Sequence, residues 1–192
     1  MSNDIRGMLS WAETWANRAN VGYDQTYRTM QVRPSDGVTC FDCSSFTFFA
    51  MWLGGAFDLS QFGYSTDLTK YQSIPRTANA WAVTGMVRCL PTLGWSSYSN
   101  SIQPAVGDIV VKTSQHCEIV YNTSPLQLVG ARNRSLPLAD QVAIHGVSSL
   151  SWYDQIWRYG GGPDPPTPPG LPVPIWLLKR AAERSGLFGP AL

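Results

Sequence analysis

Charge is scarce in this chain: only 14% of its 192 residues are Asp, Glu, Lys or Arg, and the net charge of +1 comes without any long single-sign run. No basic stripe therefore offers itself to nucleic acid, and partners are not selected by bulk charge. Long apolar runs are missing too, which excludes a membrane-crossing helix, and Met1-Ser2-Asn3-Asp4 lacks the basic-then-apolar layout of a secretory signal. Synthesis in a cytoplasm is expected, with any exit by lysis, by a holin-type route or as part of a particle. Cysteine is sparse: Cys40, Cys43, Cys89 and Cys117 are too few and too unevenly placed for a disulfide framework, so reduced thiols are the expectation. Histidine is rarer still, with His116 and His145 alone.

Apolar residues, by contrast, reach 44%, with eight Trp, ample for a real core and against disorder of the main body. Ile5, Met8, Leu9, Ala12, Trp15, Ala16 and Ala19 recur at helical spacing, so an amphipathic helix is predicted over 5–19. Residues 20–41 read as a loop, followed by a helix from Cys43 to Leu53 that stops at Gly54-Gly55. A third helix is predicted over 77–89, stopped by Pro91. Short Val- and Ile-rich runs at 109–113, 116–122, 126–131, 142–147 and 155–159 then predict strands. Helices first and an antiparallel sheet of five to six strands afterwards give an α+β domain over residues 1–159, with the sheet packed on the Cys43 helix. Residues 160–174 carry seven prolines and read as an extended linker. Residues 175–192 form a short amphipathic segment that either docks on a partner or folds back on its own domain.

The stretch Asp42-Cys43-Ser44-Ser45-Phe46 places a thiol at the first turn of a buried helix, with Asp42 as N-cap. Unpaired N–H groups and the helix dipole there favour a thiolate and can hold an oxyanion. A buried structural cysteine is the alternative, so a second catalytic group must decide. Cys40 and Cys43 also form a C-x-x-C, open to redox pairing or to half of a zinc site with His116 and Cys117. Adjacent strand residues 116 and 117 point to opposite faces, which argues against one shared metal. A turn-rich loop before Cys40 argues against a thioredoxin-like unit. No metal or cofactor is expected. A cysteine nucleophile needs a base, and His116, at the start of the strand that must pack on the Cys43 helix, is the better placed histidine.

Asp42-Cys43-Ser44-Ser45-Phe46, Gly107-Asp108-Ile109 and His116-Cys117-Glu118-Ile119-Val120-Tyr121 together resemble the NlpC superfamily of papain-like cysteine peptidases and amidases. Gly22-Tyr23-Asp24-Gln25 with Arg28 is similar to the loop that precedes the cysteine motif in bacteriophage members. The resemblance spans about residues 5–159 and implies an NlpC-type fold and hydrolysis of bacterial cell-wall peptides. Carried over, Cys43 is the nucleophile and His116 the proton shuttle. A neighbouring amide or Tyr23 helps the Cys43 N–H at the oxyanion, and Asp42, Ser44 and Ser45 line the peptide pocket, although Ser44 and Ser45 could instead cap the helix.

The resemblance also calls for a polar residue orienting the imidazole, on the strand after that of His116. Gly130 stands near that position, so Asn133 is the expected orienter, with Arg132, Gln127 or a backbone carbonyl as alternatives. Asp108 reads as a turn cap. The implied activity is an endopeptidase or N-acetylmuramoyl-L-alanine amidase acting on peptidoglycan, tethered to a phage tail through residues 175–192 and working at the host cell wall. An endolysin made in the host cytoplasm and then released is one alternative. A structural tail protein that keeps the fold without activity is the other.

Overall fold

The computed structural model describes residues 5–56, 83, 87, 90, 91 and 94–160, and the linker and terminal segment expected over 160–192 fall outside it except for Gly160. The chain is a mixed α+β structure. Helix α1 (Ile5–Ala16) is followed by strands β1 (Val21–Tyr23), β2 (Thr29–Val32) and β3 (Thr39–Phe41), then helix α2 (Cys43–Leu53). Strands β4 (Trp95–Ser99), β5 (Ile109–Lys112), β6 (His116–Thr123) and β7 (Leu126–Ala131) follow. A single helical turn α3 (Leu138–Gln141) then leads to β8 (Val142–Gly146) and β9 (Gln155–Tyr159).

Helix α1 buries Met8, Leu9, Trp11, Ala12 and Trp15, the face its periodicity marked. It ends at Ala16, short of Ala19, because the Arg18 N–H closes a tight bond to the Trp15 carbonyl and the chain turns into β1. Residues 20–41 are not a plain loop. They hold a small sheet in the order β1-β3-β2, whose three- and four-residue strands are too short to show a period in sequence.

Helix α2 is buried on all sides, as an apolar-all-round helix must be. Its end follows from Gly55 at φ 88°, where the left-handed backbone suits glycine. The Gly55 N–H donates to the Trp52 carbonyl at 3.1 Å and the Ala56 N–H to the Met51 carbonyl at 2.7 Å, so the last carbonyls of the helix find donors. The third helix expected over 77–89 lies outside the described residues apart from Val83 and Val87, which are helical.

The main sheet has six antiparallel strands in the order β4-β9-β5-β6-β7-β8. Edge strand β4 was not predicted, since Ser96, Ser97, Tyr98 and Ser99 are all exposed and give no apolar alternation. One face of the sheet packs on α1 and α2 through a core that includes Trp11, Phe41, Phe46, Phe49, Ile119 and Val129. The other face gathers Val110, Val120, Leu128, Leu150, Tyr153 and Ile156 beneath the loop that leads into β9. Asp108 caps its turn as expected: its carboxylate accepts from the Ala105 N–H at 2.7 Å and pairs with Arg158. No helix among the described residues is long and apolar enough to cross a membrane.

Candidate active site

One residue, Asp42, separates β3 from α2, and it is the N-cap. Its carboxylate accepts from the Ser45 N–H at 2.7 Å, while the Ser45 hydroxyl accepts from the Asp42 N–H at 2.9 Å. The Ser44 hydroxyl donates to the same carboxylate at 3.1 Å, and Arg28 Nη1 lies 3.1 Å from its other oxygen. Asp42, Ser44 and Ser45 are all buried, and their side chains hydrogen-bond within the helix start. Of the four residues expected to bind substrate, Tyr23 alone is not buried. Burial, with the charges of Cys43 and Asp42 nearby, raises its phenol to about 12, so it remains a donor. Cys43 occupies the first helical position, where the backbone N–H has no partner within the helix.

The start of β6 supplies the second half. Cys43 Sγ lies 3.9 Å from the carbonyl of Gln115, the residue before His116, and both His116 and Cys117 influence its ionisation. Cys117 is fully buried, with Sγ 3.6 Å from the hydroxyl of Thr47. Thr47 lies one turn along α2 from Cys43 and donates to the Cys43 carbonyl at 3.0 Å.

A hydrogen bond from the Cys117 thiol is the largest influence on Cys43. With the His116 imidazole it outweighs burial and draws the Cys43 thiol down to about 6. His116 moves the other way. Burial lowers it, but Cys43 and Glu118 overcome burial and bring the imidazole up to about 10. Between these values the pair is thiolate and imidazolium.

The imidazole's polar partner is Glu118, two residues along β6 and so on the same face as His116. Its Oε2 lies 3.5 Å from His116 Nε2 and also accepts from the Tyr153 hydroxyl, and its Oε1 lies 2.8 Å from His145 Nε2. Burial alone would raise this carboxyl, yet the two histidines hold it down at about 2. An ionised carboxylate only accepts, so His145 presents its Nε2–H there. With Nε2 of His116 turned to Glu118, Nδ1 is the ring nitrogen left for Cys43. Trp152, half-exposed, covers the imidazole with ring centroids 5.7 Å apart.

Asn133, the orienter expected from sequence, is not part of this cluster. It is exposed beyond the end of β7, and its Oδ1 accepts from the Ser135 N–H at 2.9 Å in a local turn. Glu118 carried a signal that sequence reading passed over: an acidic residue inside the apolar run Cys117-Glu118-Ile119-Val120, at the strand period from His116. His145, the histidine less well placed by its sequence position, adds a further hydrogen bond to that carboxylate. Among the described residues no group of three or more His, Cys, Asp and Glu side chains is arranged to hold a metal ion.

Chemically, a preformed thiolate, an imidazolium with an anchored carboxylate behind it, and a free helix N–H are the parts that acyl transfer requires. Comparison of the chain with protein-family models, with curated proteins and with solved structures finds no match.

Proposed function

We propose that this chain is a cysteine hydrolase that cleaves an amide bond of bacterial peptidoglycan through a thioester. The observation that carries the hydrolase reading is the convergence of Cys43 at the helix start, with Sγ 3.9 Å from the Gln115 carbonyl, on the strand start where Glu118 Oε2 lies 3.5 Å from His116 Nε2. The substrate class rests on the likeness of the Asp42–Phe46 and His116–Tyr121 blocks to the NlpC superfamily, as does assignment of the α+β architecture to the NlpC-type, papain-like fold.

In the proposed cycle, Cys43 Sγ attacks the amide carbonyl and the oxyanion is held by the Cys43 N–H with help from Tyr23. His116 gives its proton to the leaving amine and then takes one from the water that opens the thioester. Glu118 keeps the ring oriented and offsets its charge, as the carboxylate of a triad does. A catalytically weak or inactive structural tail protein that keeps the same fold is a further alternative, and Glu118 beside His116 favours the active reading over it. The proposed setting is a phage particle, with residues 175–192 docking to a neighbouring tail protein and the enzyme working at the host wall. Release from the host cytoplasm as an endolysin is the alternative.

Trapping the thioester tests the chemistry. The full chain mixed with muropeptides and quenched in acid is expected to carry an acyl adduct on Cys43 by mass spectrometry. An adduct on any other residue, or its persistence in Cys43→Ala, would remove the assignment.

A further inference from the structure

Cys117 is a buried nucleophilic group that the hydrolytic cycle does not consume. Three observations place it in the same reacting space as Cys43. It faces α2 from β6 with no exposure at all. Its Sγ lies 3.6 Å from Thr47 Oγ1, and that hydroxyl donates to the carbonyl of Cys43 one helical turn below. Cys43 and Cys117 also belong to the one core that packs α2 against β6, and each influences the other's ionisation.

Cys40, the partner suggested by the C-x-x-C spacing, is directed elsewhere. Its thiol donates to the Val38 carbonyl at 3.3 Å, and the charges around it are Arg33, Asp24, Asp36 and Arg134. Burial pushes that thiol up to about 11. Among the described residues, Cys40, Cys43 and Cys117 are not disulfide-bonded.

We propose that Cys43 and Cys117 form an oxidation site for hydroperoxides, in which Cys43 takes the oxygen and Cys117 resolves it as an intramolecular disulfide. In the first step the Cys43 thiolate attacks the terminal oxygen of the hydroperoxide and the O–O bond breaks. The departing oxygen leaves as an alkoxide or hydroxide and takes the proton of the His116 imidazolium. Cys43 is oxidised by two electrons to the sulfenic acid and the hydroperoxide is reduced to an alcohol or water. In the second step Cys117 attacks the sulfenic sulfur, the S–S bond forms, and the sulfenic oxygen leaves as water with the proton of the Cys117 thiol. A dithiol reductant reverses the link. The ionised thiol that favours amide attack also favours peroxide, and the second thiol diverts the product from irreversible over-oxidation. This site depends on the two sulfurs and not on the peptidoglycan reading.

The test uses the full chain with a few equivalents of hydrogen peroxide near neutral pH, then alkylation of remaining thiols and peptide mapping. The expected product is a Cys43–Cys117 cross-linked peptide that disappears on treatment with dithiothreitol. In Cys117→Ala and, separately, Cys117→Ser, Cys43 is expected to gain two oxygens irreversibly instead. Cys43→Ala is expected to leave Cys117 reduced. A Cys40–Cys43 link in the wild type would overturn the proposal. So would an equal share of the oxidised Cys43 reaching the irreversible form in the wild type and in both Cys117 variants. Wall hydrolysis by the reduced protein is scored separately, so a chain that forms the link but cleaves no wall retains the oxidation site and loses the hydrolase reading.

Discussion

Gly130 leaves room for Glu118: a Cβ on Gly130 would fall 2.8 Å from Cγ and 3.1 Å from Oε1 of the glutamate. The register of β6 and β7, which pairs Ile119 with Val129, brings the two side by side on one face of the sheet. The imidazole's support therefore comes from the histidine's own strand, and the neighbouring strand contributes an empty space. Gly130→Ala is expected to displace the carboxylate and lower kcat on the order of a hundredfold, since a misplacement of about 1 Å can cost that much. Overpacking costs about 1–3 kcal/mol of stability, so the variant is expected to fold with a lowered Tm. Unchanged kcat in Gly130→Ala would mean that Glu118 does not orient His116.

Ionisation of the nucleophile can be followed directly. Ultraviolet absorbance of the thiolate, or the pH dependence of alkylation by iodoacetamide, is expected to show Cys43 ionising with a midpoint of about 6. Cys117→Ala removes the largest stabilising hydrogen bond and His116→Ala removes the adjacent cation. Each is expected to move the midpoint up toward the free-thiol value of about 8.5. Midpoints that stay near 6 in both variants would contradict the electrostatic origin given for the thiolate.

Acid stability should carry a signature of Glu118. Its folded pKa, about 2, lies below the ordinary value of 4.5, so the stabilisation it contributes is fully present above pH 4.5 and is lost as pH falls toward 2. For a shift of this size that amounts to at most about 3 kcal/mol. Glu118→Gln is expected to lose stability at neutral pH and to show a flatter decline between pH 4.5 and 2. Urea unfolding at stepped pH measures both, and parallel curves for the two proteins would rule out this contribution.

The helix start makes a separate prediction. Asp42→Ala removes an N-cap carboxylate that accepts from Ser45 N and pairs with Arg28. A loss of about 1–2 kcal/mol in denaturant unfolding is expected. Asp42→Asn, which keeps a capping oxygen, is expected to recover most of it. Equal stability of the Ala variant and the wild type would show that the cap is not needed to hold α2.

The parts of this architecture visible in sequence are those with a strong local signal. The buried helix carrying Cys43 is bounded by a capping aspartate and a glycine pair, and strands β7 and β9 are β-rich runs bounded by turns, so each was legible within a residue or two. The small sheet around β3 was not, because its strands are short and gain their order only by pairing with one another. Cys43 and His116 could be read because the residue types required for thiol chemistry are few in this chain. Glu118 could not be placed from charge alone, since a glutamate within a strand is ordinarily a solvent-facing residue. Only the gathering of His116, His145 and Tyr153 around one carboxylate, over a glycine, fixes it as part of the site.

The central claim is that Cys43 cleaves amide bonds of the bacterial wall. Purified peptidoglycan incubated with the full reduced chain, with Cys43→Ala alongside, tests it most directly when newly exposed amino groups and soluble muropeptides are measured over time. The wild type is expected to release both continuously and Cys43→Ala to release neither above the blank. Equal release by the two proteins, or none by a wild type whose Cys43 still ionises near 6, would contradict the claim.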